Sequence, residues 1–147
     1  MEAELDKRYQ TMIVLWFALF MSTGMYFVFA GIAAPAFNLE PGVAPRSGLT
    51  LGLMALALFL VVASFFVKRK LLERSVDQQD VSLVQKALVV ACALCEVSAL
   101  LGLVERLLIG NRDYFLLFIF AAVGMALHFP RRLQLEAASY RNKPLID

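Results

Sequence analysis

Apolar positions in this chain gather into four long runs instead of the alternating or amphipathic patterns of a water-soluble domain. The first extends from Met12 to Ala34 and meets Pro35; the second, from Leu49 to Val67, is entered by Ser47-Gly48 and stopped by Lys68-Arg69-Lys70. The third runs from Ala87 to Ile109, with Asp80 or Ser82 as the upstream cap, so its helix is expected over 83–109. The fourth, Tyr114 to Phe129, takes Asp113 as its N-cap, giving a helix over 113–129 closed by Pro130-Arg131-Arg132. A helix crossing the hydrocarbon core needs about 20 mostly apolar residues. These runs therefore predict an all-α fold, a four-transmembrane-helix bundle forming a single membrane domain over residues 1–147.

Between the runs, Phe37 to Arg46 reads as an outer loop stiffened by Pro41 and Pro45, and Gly110 to Asp113 as a minimal outer turn. Lys68 to Gln85 reads as a longer polar inner connection whose Leu71, Leu72, Val81 and Leu83 suit it to the headgroups. The tail over 131–147 repeats that theme with Leu133, Leu135 and Tyr140, and is expected as an amphipathic cytoplasmic surface segment. Placing both termini inside puts eleven of the fourteen Lys and Arg residues on the inner side, leaving only Arg46, Arg106 and Arg112 outside. An N-in, C-in protein of a bacterial inner membrane is the expected placement. A cleaved leader fits less well: the first run exceeds the roughly 7 to 15 apolar residues of a signal peptide, and its flank carries acids.

Composition agrees, with 61% hydrophobic and 18% charged residues and a mean hydropathy of +0.72. These values exclude disorder. The two cysteines, Cys92 and Cys95, lie inside an apolar run, which excludes a secreted disulfide scaffold. A net charge of +2 offers no electrostatic reason for a nucleic-acid partner.

One charge violates the pattern. Between Ala87 and Val104 stand eighteen residues with no charge other than Glu96, the tenth of them, near the bilayer midplane. A charge there costs roughly 2.5–3.5 kcal/mol on insertion scales. Removal from water favours the neutral form of a carboxyl, and a glutamate that gains and loses its proton is what a proton-carrying site needs. The competing reading makes Glu96 a neutral or paired interior group, bonded to Ser98, Ser22, Thr23 or Tyr26 and serving only to fix packing.

Projected at about 100° per residue, Ala87, Ala91, Cys95, Ser98 and Gly102 form a small-residue seam suited to close helix approach. Glu96 lies off this seam, on a face shared with Cys92, Ala99 and Leu103. A second stripe, Gly24 and Gly31 with Val28 between them, marks the first helix.

The stretch from Ala93 to Val104, with an alanine three residues before and after Glu96 and a closing Gly102-Leu103-Val104, resembles the carboxylate-bearing helix of the proteolipid c subunit of rotary proton-translocating ATPases. The resemblance covers about a dozen residues closely and implies that Glu96 is a proton carrier on a helix running outward from a cytoplasmic loop. The second helix departs from that family's glycine-dense partner, carrying Phe59, Leu60, Val61 and Val62.

Other constellations read more simply. Cys92 and Cys95 match a C-x-x-C string but sit mid-helix, where they act as small apolar filler. His128, the single histidine, is expected at the membrane interface beside Phe129 and Arg131, and it lacks a partner for a metal or haem. Glu105-Arg106 and Arg112-Asp113 can pair across the outer turn as exposed ion pairs. No nucleophile triad, phosphate loop or dinucleotide fingerprint is present, so neither an enzyme nor a cofactor is expected, nor a soluble small-molecule substrate. Two functions follow: a proton-binding or proton-translocating membrane protein centred on Glu96, or an accessory subunit whose seam and basic inner segments bind other membrane subunits, a second copy or the lipid bilayer.

Overall fold

The computed structural model describes residues 2–36, 48–110 and 112–139, all in helices or the short turns between them. The five helices are α1 (Glu2–Ala36), α2 (Gly48–Gln78), α3 (Val81–Val104), α4 (Phe115–Leu127) and α5 (Arg132–Ser139). A π-helical turn, Glu105–Ile109, prolongs α3, and a 3-10 turn, Arg112–Tyr114, precedes α4. The expected proline loop, Asn111 and the tail beyond Ser139 lie outside the described residues.

Three helices are long and apolar enough to cross a membrane, over Ala3–Ala33, Gly48–Gln78 and Val81–Ile109. The chain is thus an all-helical, integral membrane type of protein. The α4 helix has 13 residues, about 20 Å of rise against a hydrocarbon core of about 30 Å. It forms a fourth candidate span only jointly with α5, across a 49° bend.

Two boundaries differ from the sequence expectation. The first helix starts at Glu2 instead of near Met12, because its polar start is helical in its own right. Arg8 pairs with Glu4 one turn back, 3.1 Å away, and Leu5 and Tyr9 pack on a buried cluster. The second helix does not stop at Lys68 but runs on to Gln78. A basic triplet ends a membrane segment without ending a helix, and Arg69 and Glu73 pair at 3.0 Å along the continuation. The supposed long inner connection is therefore reduced to Gln79 and Asp80.

That junction is closed by two caps. The Asp80 N–H donates to Ser75 O at 3.0 Å and the Gln79 N–H to Val76 O at 3.3 Å, while Gln79 takes a left-handed φ of 50°, the Schellman arrangement that satisfies the last carbonyls of a helix. Asp80 then caps α3 by accepting from the Ser82 N–H at 2.8 Å and the Ser82 hydroxyl at 2.9 Å.

The α3 helix occupies the centre and packs on all four others, whereas α1 and α2 lie on opposite sides of the α3–α4 pair without substantial contact. Within its most apolar window, 44% of α3 is buried against 11% for α1. The outward faces of α1 and α2 carry Phe17, Met25, Ile32, Phe59 and Phe66, all exposed, as lipid-facing surfaces are. The tail does not lie free: α5 folds back so that Leu135 and Ala138 join Met12, Val84, Leu88 and Cys92 in a core at the basic end. An ion pair from Arg132 to Asp6, 3.2 Å, ties α5 to α1.

Candidate functional site

Glu96 stands half-buried on the face of α3 that meets α1. The neighbours expected on that face, Cys92 and Ala99, are fully buried, Cys92 in a cluster with Met12, Val84 and Leu88 and Ala99 in one with Ala30, Phe118 and Ala121. Both faces of α3 are therefore covered. Of the four polar side chains considered for Glu96, only Ser22 is brought to it, its hydroxyl against Oε1. Thr23 instead bonds Leu19 O at 3.3 Å and approaches Met125 Sδ at 3.5 Å. Ser98 faces the other way, towards Leu117 O at 3.5 Å, and Tyr26 packs against the cluster of Ala30, Ala99, Phe118 and Ala121. Helix rotation separates these groups: Ser98 is two positions from Glu96 on α3, about 200° around the axis.

The Ser22 hydroxyl also lies 2.9 Å from Leu19 O. A hydroxyl has one proton and can donate it to either oxygen, so Ser22 links the backbone of α1 to the carboxyl on α3.

The small-residue seam is occupied from within the chain. Ala91, Cys95, Ser98 and Gly102 are all buried, and a Cβ built on Gly102 would meet Phe118 Cε2 at 3.0 Å and Leu117 Cβ at 3.1 Å. Gly124 on α4 is the counterpart that sequence reasoning missed, with a Cβ there only 2.8 Å from Cys95 Sγ and 3.0 Å from Val61 Cγ1. By contrast Gly24 and Gly31 are exposed, with nothing within 4 Å of a Cβ at either. Their stripe faces outward and packs no helix among the described residues.

A second polar group, between α2, α3 and α4, also escaped the sequence reading. His128 is not interfacial but 1% exposed, with Nε2 2.7 Å from Ser64 Oγ and its ring 4.4 Å from that of Phe65. Ser64 donates its proton to Val61 O at 2.6 Å and lies 3.6 Å from Cys95 Sγ. The Ser64 hydroxyl and His128 Nε2 form a buried hydrogen bond between α2 and α4, whose direction follows the tautomer of the ring. Below it, Lys68 Nζ donates to His128 O at 3.1 Å. The cause is local: Pro130 has no N–H to continue α4, which leaves terminal carbonyls without partners, and a cation there also meets the negative helix end. The spacing Ser64, Lys68 on one helix face, opposite a histidine two residues before a proline, is the only trace of this in the sequence.

At the turn between α3 and α4 Glu105 is fully buried rather than exposed, and the Arg106 guanidinium stacks over Tyr114 at 5.1 Å. Among the described residues no group of three or more His, Cys, Asp or Glu side chains is arranged to hold a metal ion. Compared with family models, with curated proteins and with solved structures, the chain matches none.

Proposed function

We propose that this protein is a small, non-enzymatic membrane protein that binds a proton on Glu96, in the manner of a c-like proteolipid, and passes it on when a neighbouring helix or subunit changes the exposure of that carboxyl. In this reading α4 is the fourth crossing, both termini lie on the basic, cytoplasmic side of a bacterial inner membrane, and Glu96 sits near the midplane. The single observation supporting it is the half-buried Glu96 carboxyl on α3, held by the Ser22 hydroxyl of α1 within a long apolar helix. The local resemblance around Glu96 points the same way. Carbodiimide, which reacts with protonated carboxyls, labels Glu96 in membranes at neutral pH and loses the reaction as the medium is made alkaline. Unchanged proton flux in liposomes carrying Glu96→Gln eliminates the translocating form of the proposal.

A second reading, an accessory subunit of a larger membrane complex, is favoured by the open face of α1, where Gly24 and Gly31 have no neighbour. The seam on α3 is already filled by α4 and is not the partner surface. In this reading Gly24→Leu releases the partner while Glu96→Gln leaves flux unaltered, and a protein found alone and monodisperse in native membranes excludes it.

A further inference from the structure

At the basic end, between α2 and the α4–α5 bend, lies a groove of about 560 Å³, within the size range of small-molecule sites. Lys68, Arg69 and Arg131 line it together with His128 and Gln134, and Phe65 and Leu127 form its apolar wall on the membrane side. We propose that this groove binds a phosphate group, that of an anionic phospholipid, with the phosphate between Lys68 and Arg131 and an acyl chain along Phe65 and Leu127.

The argument starts from Lys68. The residue is 8% exposed, yet among the described residues its ammonium has one acceptor, His128 O, for three N–H groups. A cation removed from water is costly unless it is paired and fully hydrogen-bonded. Neither Lys68 nor Arg131 forms a salt bridge with a carboxylate among the described residues, and their two positive charges act on each other across the groove. What the pair lacks is an anion. The acids lining the groove do not supply it: Glu73 is engaged by Arg69 at 3.0 Å, and Asp77 forms no ion pair with Lys68 or Arg131. A phosphate oxygen accepts from ammonium and guanidinium alike. The source follows from the walls. Phe65 and Leu127 lie on the hydrophobic side of the two cations and are exposed, so the ligand that fits carries its charge at one end and hydrocarbon at the other, as lipids held in basic clefts between transmembrane helices do.

The test uses the full-length protein in nanodiscs of phosphatidylcholine with and without phosphatidylglycerol, with retained lipid read by native mass spectrometry after mild detergent extraction. Phosphatidylglycerol is expected to be retained preferentially, and Arg131→Gln, at an exposed position, lowers that retention about tenfold, as loss of one charge-assisted hydrogen bond does. Lys68→Met is the stronger test if it folds, and Arg131→Gln decides the matter if it does not. Arg74→Gln removes the same charge away from the groove and leaves retention unchanged. Equal losses for Arg74→Gln and Arg131→Gln reduce the effect to diffuse surface charge and overturn the site. Thermal stabilisation by inorganic phosphate with no lipid retained overturns the lipid as the source.

Discussion

The imidazole Nε2 of His128 and the hydroxyl of Ser64 meet at 2.7 Å inside the bundle. This bond joins α2 to α4 at the level where Cys95 of α3 also arrives. Ser64→Ala leaves a buried ring nitrogen without its partner, and a loss of about 1–3 kcal/mol in unfolding free energy is expected. Replacing both partners with apolar groups, Ser64→Ala with His128→Leu, recovers most of that loss. Measuring both variants in the same detergent checks it, and an additive result contradicts the assigned bond.

The three-helix contact around Gly124 gives a sharper steric expectation. Gly124→Ala puts a Cβ 2.8 Å from Cys95 Sγ and destabilises by about 1–3 kcal/mol through overpacking; adding Cys95→Ala removes the obstructing sulfur and restores part of it. Gly24→Ala, in open space, is neutral or stabilising by up to about 1 kcal/mol. A thermal-unfolding series over these three variants distinguishes the filled seam from the open stripe.

Glu96 and Ser22 yield a discriminating pair. An amide oxygen accepts from the Ser22 hydroxyl as the carboxyl oxygen does, so Glu96→Gln is expected within about 0.5 kcal/mol of the parent. Ser22→Ala removes the only hydroxyl at Glu96 and costs about 0.6–1.7 kcal/mol, the range of interhelical hydrogen bonds in membranes. Strong destabilisation by Glu96→Gln argues for an ionised carboxylate instead.

Asp80 supplies a pH dependence outside the membrane segments. Hydrogen bonds from the Ser82 hydroxyl and the Ser82 N–H hold its carboxyl below the ordinary range. The stability it contributes is fully present above its unfolded value of about 3.9 and is lost as pH falls through the lower folded value. Asp80→Ala therefore lowers the melting temperature at neutral pH and flattens the acid limb of the profile. An acid limb unchanged by the substitution rejects this role.

The inward fold of α5 makes Leu135 a core residue, 1% exposed, against Met12, Val84 and Leu88. Leu135→Ala is expected to cost about 2–5 kcal/mol, while Leu133→Ala, exposed on the same helix, costs little. Limited proteolysis of the tail in the two variants reads the difference directly.

Much of this molecule was written in local patterns. The apolar runs specified three helices of membrane length, Asp80 or Ser82 marked the start of α3, and the spacing along α3 separated the small-residue seam from Glu96. Those features depend on neighbours within a few residues, which the sequence presents in order. The seam's partner, the covered state of His128 and the cap that Lys68 gives α4 depend on which helix faces which. In lipid, a residue facing the bilayer and one facing another helix are equally apolar, so hydropathy carries little inside-outside information. Gly24 and Gly102 look alike in sequence, yet one faces outward and the other lies under Phe118. Sequence alone determined an all-helical chain suited to a membrane with one acid in a long apolar helix; only the tertiary structure decided that Ser22 meets that acid, that Ser64 pairs with His128, and that Lys68 and His128 line a groove, because those meetings depend on which helix faces which.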